Sequence, residues 1–287
     1  MLVDLHAHIH FNIFKDDADE VIRRAQEAGV FMVAPSTKLA ISRRAIEFGE
    51  KYRGLVFPAI GLHPIHTKPT IFDPDEEEAG GDHASRTSNE TFEMNEWLLL
   101  AKHPLVVAIG ETGLDYVKRL EITEDDRKHQ ENILRQQLEL ALEVTKPVIL
   151  HCRDGQVDGL KRNAHQDMLA ILKEYVPRGL RGVSHCFSGN KAQAQEYMQL
   201  GFGLSFTGMI TYNGAWDRII KDAPLYKLFT ETDSPYLTPV PHRDERNEPV
   251  NVKYVVEHIA GVKNTSFEEV AEQTVLNAKK MFNLPIQ

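Results

Sequence analysis

The feature that most constrains the fold is an alternation running the length of the chain, in which short apolar runs are separated by longer amphipathic ones. The apolar runs predict strands at Leu2–His8, Val30–Ser36, Leu55–His63, Leu105–Glu111, Val148–Cys152, Gly182–Cys186, Gly203–Phe206 and Lys227–Thr232. Helical stretches fall between them at Asp16–Ala28, Leu39–Tyr52, Asn89–Lys102, Glu124–Thr145, His165–Tyr175, Lys191–Leu200 and Trp216–Asp222, and Tyr254–Gly261 and Phe267–Phe282 close the chain. Strand followed by helix, repeated, builds a parallel sheet, and eight repeats is the number that closes into a barrel. The expected fold is therefore α/β, a (β/α)8 TIM barrel. A length of 287 residues suits one such barrel, so residues 1–287 are read as a single domain.

Two helix starts carry capping signals. Thr123 precedes Glu124-Asp125-Asp126, a hydroxyl cap followed by acids at the positive end of the helix dipole. Ser266 with Glu269 three residues on predicts a capping box. One segment breaks the alternation. Residues 68–88 contain Asp75-Glu76-Glu77-Glu78 and Gly80-Gly81 and are poor in apolar side chains. They read as a loop insertion after strand three, either a disordered excursion or a lid. A second polar excursion, Asp154–Asn163, follows strand five.

No run approaches the ~18 apolar residues of a membrane span, and the first strand begins without a basic, apolar leader. Cys152 and Cys186 make no disulfide framework. A cytoplasmic chain with no membrane partner is expected. The net charge of −9 excludes a nucleic-acid coat whose affinity comes from a basic surface. It leaves a nucleic-acid substrate open, because bound divalent cations reverse the field of a site locally.

Active sites of such barrels form at the carboxyl ends of the strands. Strand one ends in His6 and His8, which share a face because residues two apart on a strand point the same way. Strand three ends in His63, strand four in Glu111, strand five in His151, strand six in His185 and strand eight in Asp233. Apolar barrel strands do not usually finish like this. Imidazole with carboxylate suits zinc, manganese, iron or nickel, whereas an all-carboxylate set would suggest magnesium or calcium. Five histidines, one Glu and one Asp exceed what a single catalytic ion with an open position needs. They suit two ions bridged by a carboxylate, and the chemistry implied is hydrolysis by a metal-activated hydroxide.

In order along the chain stand Asp4-Leu5-His6-Ala7-His8, Gly61-Leu62-His63-Pro64, Gly110-Glu111-Thr112-Gly113-Leu114-Asp115-Tyr116, Pro147-Val148-Ile149-Leu150-His151-Cys152-Arg153, His185-Cys186-Phe187-Ser188-Gly189 and Thr232-Asp233-Ser234-Pro235-Tyr236-Leu237. Together they resemble the successive motifs of the TatD family, metal-dependent DNases among the amidohydrolase-like barrels. The resemblance implies a barrel of the metallo-dependent hydrolase type with two divalent ions, magnesium, manganese or zinc. It implies that His6 and His8 hold one ion with Asp233, that Glu111 bridges, and that His151 and His185 hold the second. Asp233 is then the candidate general base. His63 matches a position near the substrate phosphate, and Arg153 either contacts phosphate or forms a surface ion pair.

The chain departs from the family pattern in three places. Ile65 stands where a second His is usual and His66 follows it; in an extended segment His66 would point to the other side. A lysine common after Ser205-Phe206-Thr207-Gly208 is replaced near Tyr212-Asn213-Gly214. Asp244-Glu245 stand where glycine and lysine are usual before Arg246-Asn247-Glu248-Pro249. Alternation turns Cys152 and Cys186 away from the barrel axis toward the helices, as packing residues. Phe206 and Tyr236 either stack on a base or pack the barrel mouth. His10 shares the face of His6 and His8 but has no matching partner in the sequence.

The expected activity is hydrolysis of phosphodiester bonds in DNA, by trimming an end or a single strand, with RNA or tRNA as further substrates and a monomer as the favoured state. The alternative keeps the metals and changes the bond, to a lactone, a cyclic amide or an aminoacyl-tRNA ester.

Overall fold

All eight predicted strands form. The computed structural model describes residues 1–68, 70–71, 76, 86–87 and 90–286. Its main strands are β1 (Leu2–Asp4), β2 (Val30–Ala34), β3 (Val56–Ile60), β4 (Ala108–Asp115), β5 (Val148–Arg153), β6 (Gly182–Ser184), β7 (Gly203–Phe206) and β8 (Leu228–Thr230). They pair in chain order, each parallel to the next. The last meets the first. Leu5 N donates to Thr230 O at 3.0 Å, Asp233 N to His6 O at 2.8 Å and His8 N to Ser234 O at 2.8 Å, with Ala7 bridging Ser234 in parallel.

Strands covered on both faces carry apolar residues on both, and the two faces separate cleanly here. Val3, Val33, Phe57, Ala59, Ala108, Ile149, Val183 and Phe229 meet in one buried cluster. Side chains from seven strands can do so only inside the barrel. Their neighbours Leu2, Met32, Ile60, Ile109, Leu150 and Leu228 belong to a second cluster with the helices. Those helices are α1 (Ala18–Glu27), α2 (Leu39–Lys51), α3 (Met94–Ala101), α4 (Glu124–Glu143), α5 (Ala164–Tyr175), α6 (Lys191–Gln199), α7 (Ile210–Asn213), α8 (Asp217–Asp222), α9 (Val252–Lys263) and α10 (Phe267–Phe282).

Thr123 caps α4 as expected and forms a full box: its hydroxyl accepts from Asp126 N at 3.1 Å and Asp126 Oδ2 accepts from Thr123 N at 2.9 Å. At α10 only half of the predicted box forms. Ser266 accepts from Glu269 N at 3.1 Å, but the Glu269 carboxylate takes the Thr265 hydroxyl instead.

Five predicted strands, β1, β2, β3, β6 and β8, run too long at their carboxyl ends; at β1 and β6 a side chain takes over from the ladder, and at β8 a left-handed turn ends it. β1 stops at Asp4, whose carboxylate accepts His6 N at 3.2 Å, Thr232 N at 2.8 Å and Thr232 Oγ1 at 2.5 Å. β6 stops before Cys186, whose N–H goes to Glu231 Oε1 at 2.6 Å. β8 stops before Asp233, which has the left-handed φ of 58°. Helix α3 starts at Met94 rather than at 89, because Glu90 is spent crossing the mouth: its N–H donates to His66 O at 3.2 Å and its carboxylate accepts Leu39 N at 2.8 Å.

Most of the expected insertion 68–88 lies outside the described residues, though Thr70–Ile71 and Arg86–Thr87 pair antiparallel. The excursion 154–163 is a hairpin of Gly155–Val157 with Leu160–Arg162, turning at Asp158 (φ 49°) and Gly159 (φ 75°). Asp-Gly is a strong signal for such a turn, and it stood unused in the sequence.

Candidate metal centre and active site

Every strand-end residue singled out from the sequence reaches the carboxyl mouth of the barrel. His6 Nε2 lies 3.1 Å from His8 Nε2 and 3.2 Å from Glu111 Oε2. Asp233 Oδ1 lies 3.5 Å from His8 Nε2 and 3.8 Å from both His6 Nε2 and His185 Nε2. On the other side of the same carboxylate, Glu111 Oε1 lies 2.8 Å from His151 Nδ1, 3.4 Å from His63 Nε2 and 3.7 Å from His185 Nε2. The ring of His185 stacks on that of His6, 3.5 Å between centroids.

Local backbone puts Glu111 in this position. The β4–β5 register shifts between Ile109 and Thr112, next to it, and Glu111 N is held by Ser36 O at 2.9 Å. Gly113 then lets β4 press against β5, since a Cβ there would stand 1.8 Å from His151 O.

The outer nitrogens of three rings are fixed by partners. His8 Nδ1 is 3.0 Å from Pro35 O, so it carries the proton and leaves Nε2 as a lone pair facing the cluster. His151 Nε2 is 2.9 Å from Asp115 Oδ2, and His185 Nδ1 is 2.8 Å from Glu231 Oε1. Asp115 and Glu231 were missed in the sequence. Both left signals there, since Asp115 shares the strand face of Glu111 and Glu231 is an acid in an apolar barrel strand.

His63 is different. Its Nδ1 accepts the Ile65 N–H at 3.1 Å, so the neutral ring carries its proton on Nε2, as a donor aimed at Glu111. That tautomer has no inward lone pair for a cation. Arg153 stands at the rim, its side chain 48% exposed and its Nη1 3.7 Å from Asp115 Oδ2.

His66 does not point away. Pro64–Thr67 is a 3-10 turn rather than an extended segment, and residues three apart on such a turn share a face. His66 is buried with Nε2 3.1 Å from Glu76 Oε2. Cys152 is buried among the helix-facing residues as expected. Cys186 is not: with φ 42° its Sγ turns to Thr207 Oγ1 (3.7 Å) and Met209 Sδ (3.9 Å) at the mouth.

The cluster is strongly polarised. Burial alone would lower the His185 imidazole, but Glu231, Glu111 and Asp233 raise it to about 10. Against burial, His63, His6 and His185 hold the Glu111 carboxyl well below the usual range. Also against burial, His8, His185 and His6 lower the Asp233 carboxyl, and His151 and Arg153 lower that of Asp115. His63, whose burial dominates, falls to about 4. Four carboxylates around the rings make a field that favours added positive charge. The donor set fits a divalent cation: ligand atoms of His6, His8 and Asp233 lie within 4.8 Å of one another, as do those of His63, Glu111 and His151, and of His6, His185 and Glu231. In the last two sets the tautomer of His63, and the position of Glu231 behind His185, mark those residues as supports.

A closed (β/α)8 barrel with buried imidazoles and carboxylates at its carboxyl mouth defines a metal-dependent hydrolase. Residues 3–283 match the family model described as TatD related DNase. The uncharacterized metal-dependent hydrolase YabD of Bacillus subtilis (strain 168) is 37% identical over 289 residues, covering 99% of this chain and 100% of the relative. The 3'-5' ssDNA/RNA exonuclease TatD of Erwinia tasmaniensis is 31% identical over 291 residues, covering 99% and 100%. Among solved structures, the TatD homologue YJJV from Escherichia coli K12 superposes with a TM-score of 0.79 at 27% identity, covering 99% of this chain and 98% of that one. The chain belongs to the TatD family. Among the described residues no helix is long and apolar enough to cross a membrane.

Proposed function

We propose that the chain is a phosphodiesterase that trims single-stranded or frayed ends of DNA with two divalent ions, and that residues 1–287 act as one hydrolase domain. The observation that carries the reading is the division of Glu111 between two groups, Oε2 toward His6 and Oε1 toward His151. His6, His8, Asp233 and Glu111 would hold one ion, and Glu111, His151 and His185 the other. When bound there, divalent ions would supply the positive charge that polarises a phosphoryl oxygen and lowers the pKa of a water.

The chain's own groups do the rest. Asp233, whose side chain keeps 15% exposure, faces solvent on the mouth side and takes the proton from the attacking water. His63 donates its Nε2–H to a non-bridging oxygen of the substrate phosphate. Arg153 at the rim adds a charge-assisted contact to the strand. Asp115 and Glu231 keep the His151 and His185 rings in orientation. Exonuclease-named relatives at 31% identity support a nucleic-acid substrate.

The test is a digest of end-labelled single-stranded DNA with added Mg²⁺ or Mn²⁺, alongside elemental analysis of the purified protein. A ladder from one end, two ions per chain, and loss of both cleavage and ladder in His6→Ala and Asp233→Asn are expected. Cleavage surviving both substitutions, or turnover of carboxylic esters and lactones but no phosphodiester, would overturn the reading.

A further inference from the structure

The mouth holds a second group of buried polar side chains that the hydrolytic machinery leaves unused. Thr37 and Lys38 stand in the loop between β2 and α2, and His66 in the turn after β3; all three are buried. All converge on one anion, the carboxylate of Glu76. The Thr37 hydroxyl is hydrogen-bonded to Glu76 Oε1, His66 Nε2 is 3.1 Å from Oε2, and Lys38 Nζ is 3.7 Å from Oε2. The groups that hold the anion belong to the barrel's own loops. Glu76 belongs to the acidic run 75–78 and is itself buried.

This cradle is bound to the active site by backbone. His63 N donates to Thr37 O at 2.9 Å and His66 N donates to His63 O at 3.0 Å. The His63 and His66 rings are 6.3 Å apart between centroids, and His63 Nε2 is 3.4 Å from Glu111 Oε1. One ring therefore separates the cradle from the cluster. The first N–H of α2, at Leu39, is taken by a different carboxylate, that of Glu90, at 2.8 Å, so the cradle's donors are the three side chains. A hydroxyl, an ammonium and an imidazole N–H around one carboxylate make a donor set that also binds phosphate oxygens.

We propose that Thr37, Lys38 and His66 form an oxyanion subsite for the substrate phosphate neighbouring the scissile one, and that the Glu76 carboxylate occupies it until substrate displaces it. The choice of ligand rests on the phosphodiesterase reading. The subsite gives His66 a role, one turn beyond His63. It also makes Glu76 a competitor: an end bearing an extra phosphate must exchange with a carboxylate, and the competition is expressed in KM.

The metal-loaded protein and Glu76→Gln are compared on the dinucleotide TpT and on its end-phosphorylated forms pTpT and TpTp. Inorganic phosphate binding is followed by calorimetry, which needs no turnover. Glu76→Gln is expected to raise kcat/KM for one phosphorylated form over TpT by about tenfold, through KM, and to gain a phosphate site. Adding Thr37→Val or His66→Asn to Glu76→Gln cancels both gains. Cleavage with the same pTpT:TpT and TpTp:TpT ratios in all variants, together with identical phosphate titrations, overturns the subsite. So does a Glu76→Gln protein that only loses thermal stability, which would make Glu76 a structural pin. If no dinucleotide is cleaved but Glu76→Gln gains phosphate and Thr37→Val removes it, the subsite stands and the phosphodiesterase reading falls.

Discussion

Glu111 sends its two carboxylate oxygens to opposite halves of the cluster, Oε2 to 3.2 Å from His6 Nε2 and Oε1 to 2.8 Å from His151 Nδ1. Among the described residues no other acid divides its two oxygens between the two sets of imidazoles in this way. Glu111→Gln keeps the shape and removes the charge. It is expected to lower turnover by about a thousandfold or more and to reduce the metal content below two ions per chain. Circular dichroism should stay unchanged, because the barrel's packing does not depend on this side chain. Full metal content with full activity would remove the bridging role.

Asp115 and Glu231 each stand behind a ring, 2.9 Å from His151 Nε2 and 2.8 Å from His185 Nδ1. Partners of this kind set the tautomer and orientation of a ligand, and losing one typically costs 10–100-fold in metal affinity or activity. Asp115→Asn and Glu231→Gln should therefore weaken metal binding by about that factor, with activity recovering as Mn²⁺ is raised. Titration of activity against Mn²⁺ measures this. Loss that excess metal does not relieve would point to a different role.

How much of this site was legible in the sequence depended on where each residue's signal lies. The inward ring nitrogens were legible because strand alternation fixes direction, and the strand ends converge in any barrel of this type. The groups behind them were not, because a supporting carboxylate such as Glu231 is recognised by what it touches rather than by its spacing. Strand ends were overrun wherever a side chain replaced a ladder bond, as Asp4 does toward Thr232. The direction of His66 stayed open in the sequence, because it depended on whether the segment after His63 was extended, and Pro64 instead begins a 3-10 turn.

His63 tests the difference between a ligand and a substrate contact. Its Nδ1 accepts a backbone N–H, so the inward nitrogen is a donor. His63→Asn should leave the metal content unchanged and lower kcat/KM for phosphodiesters by roughly 10–100-fold, the range for one hydrogen bond to a charged group. A fall in bound metal would instead place His63 on an ion.

His165 gives a pH dependence of stability that is separable from catalysis. It is buried between α5 and α6, with Nδ1 3.2 Å from Tyr197 Oη and Nε2 3.3 Å from Ser188 Oγ. Burial lowers its pKa to about 4, partly offset by the charge of Asp154. The unfolded chain binds this proton near pH 6.5, so below that pH the unfolded state holds more protons than the folded one. The stability His165 contributes is thus fully present above pH 6.5 and is lost as the pH falls toward 4. Between pH 7 and pH 5 the loss from this one group is on the order of 1–2 kcal/mol. Other buried histidines titrate as well, so the measurement is a difference. Urea midpoints of the native chain and of His165→Gln, taken at both pH values, should converge on acidification by that amount. Parallel pH profiles would show that His165 keeps its neutral form for another reason or takes up its proton without unfolding.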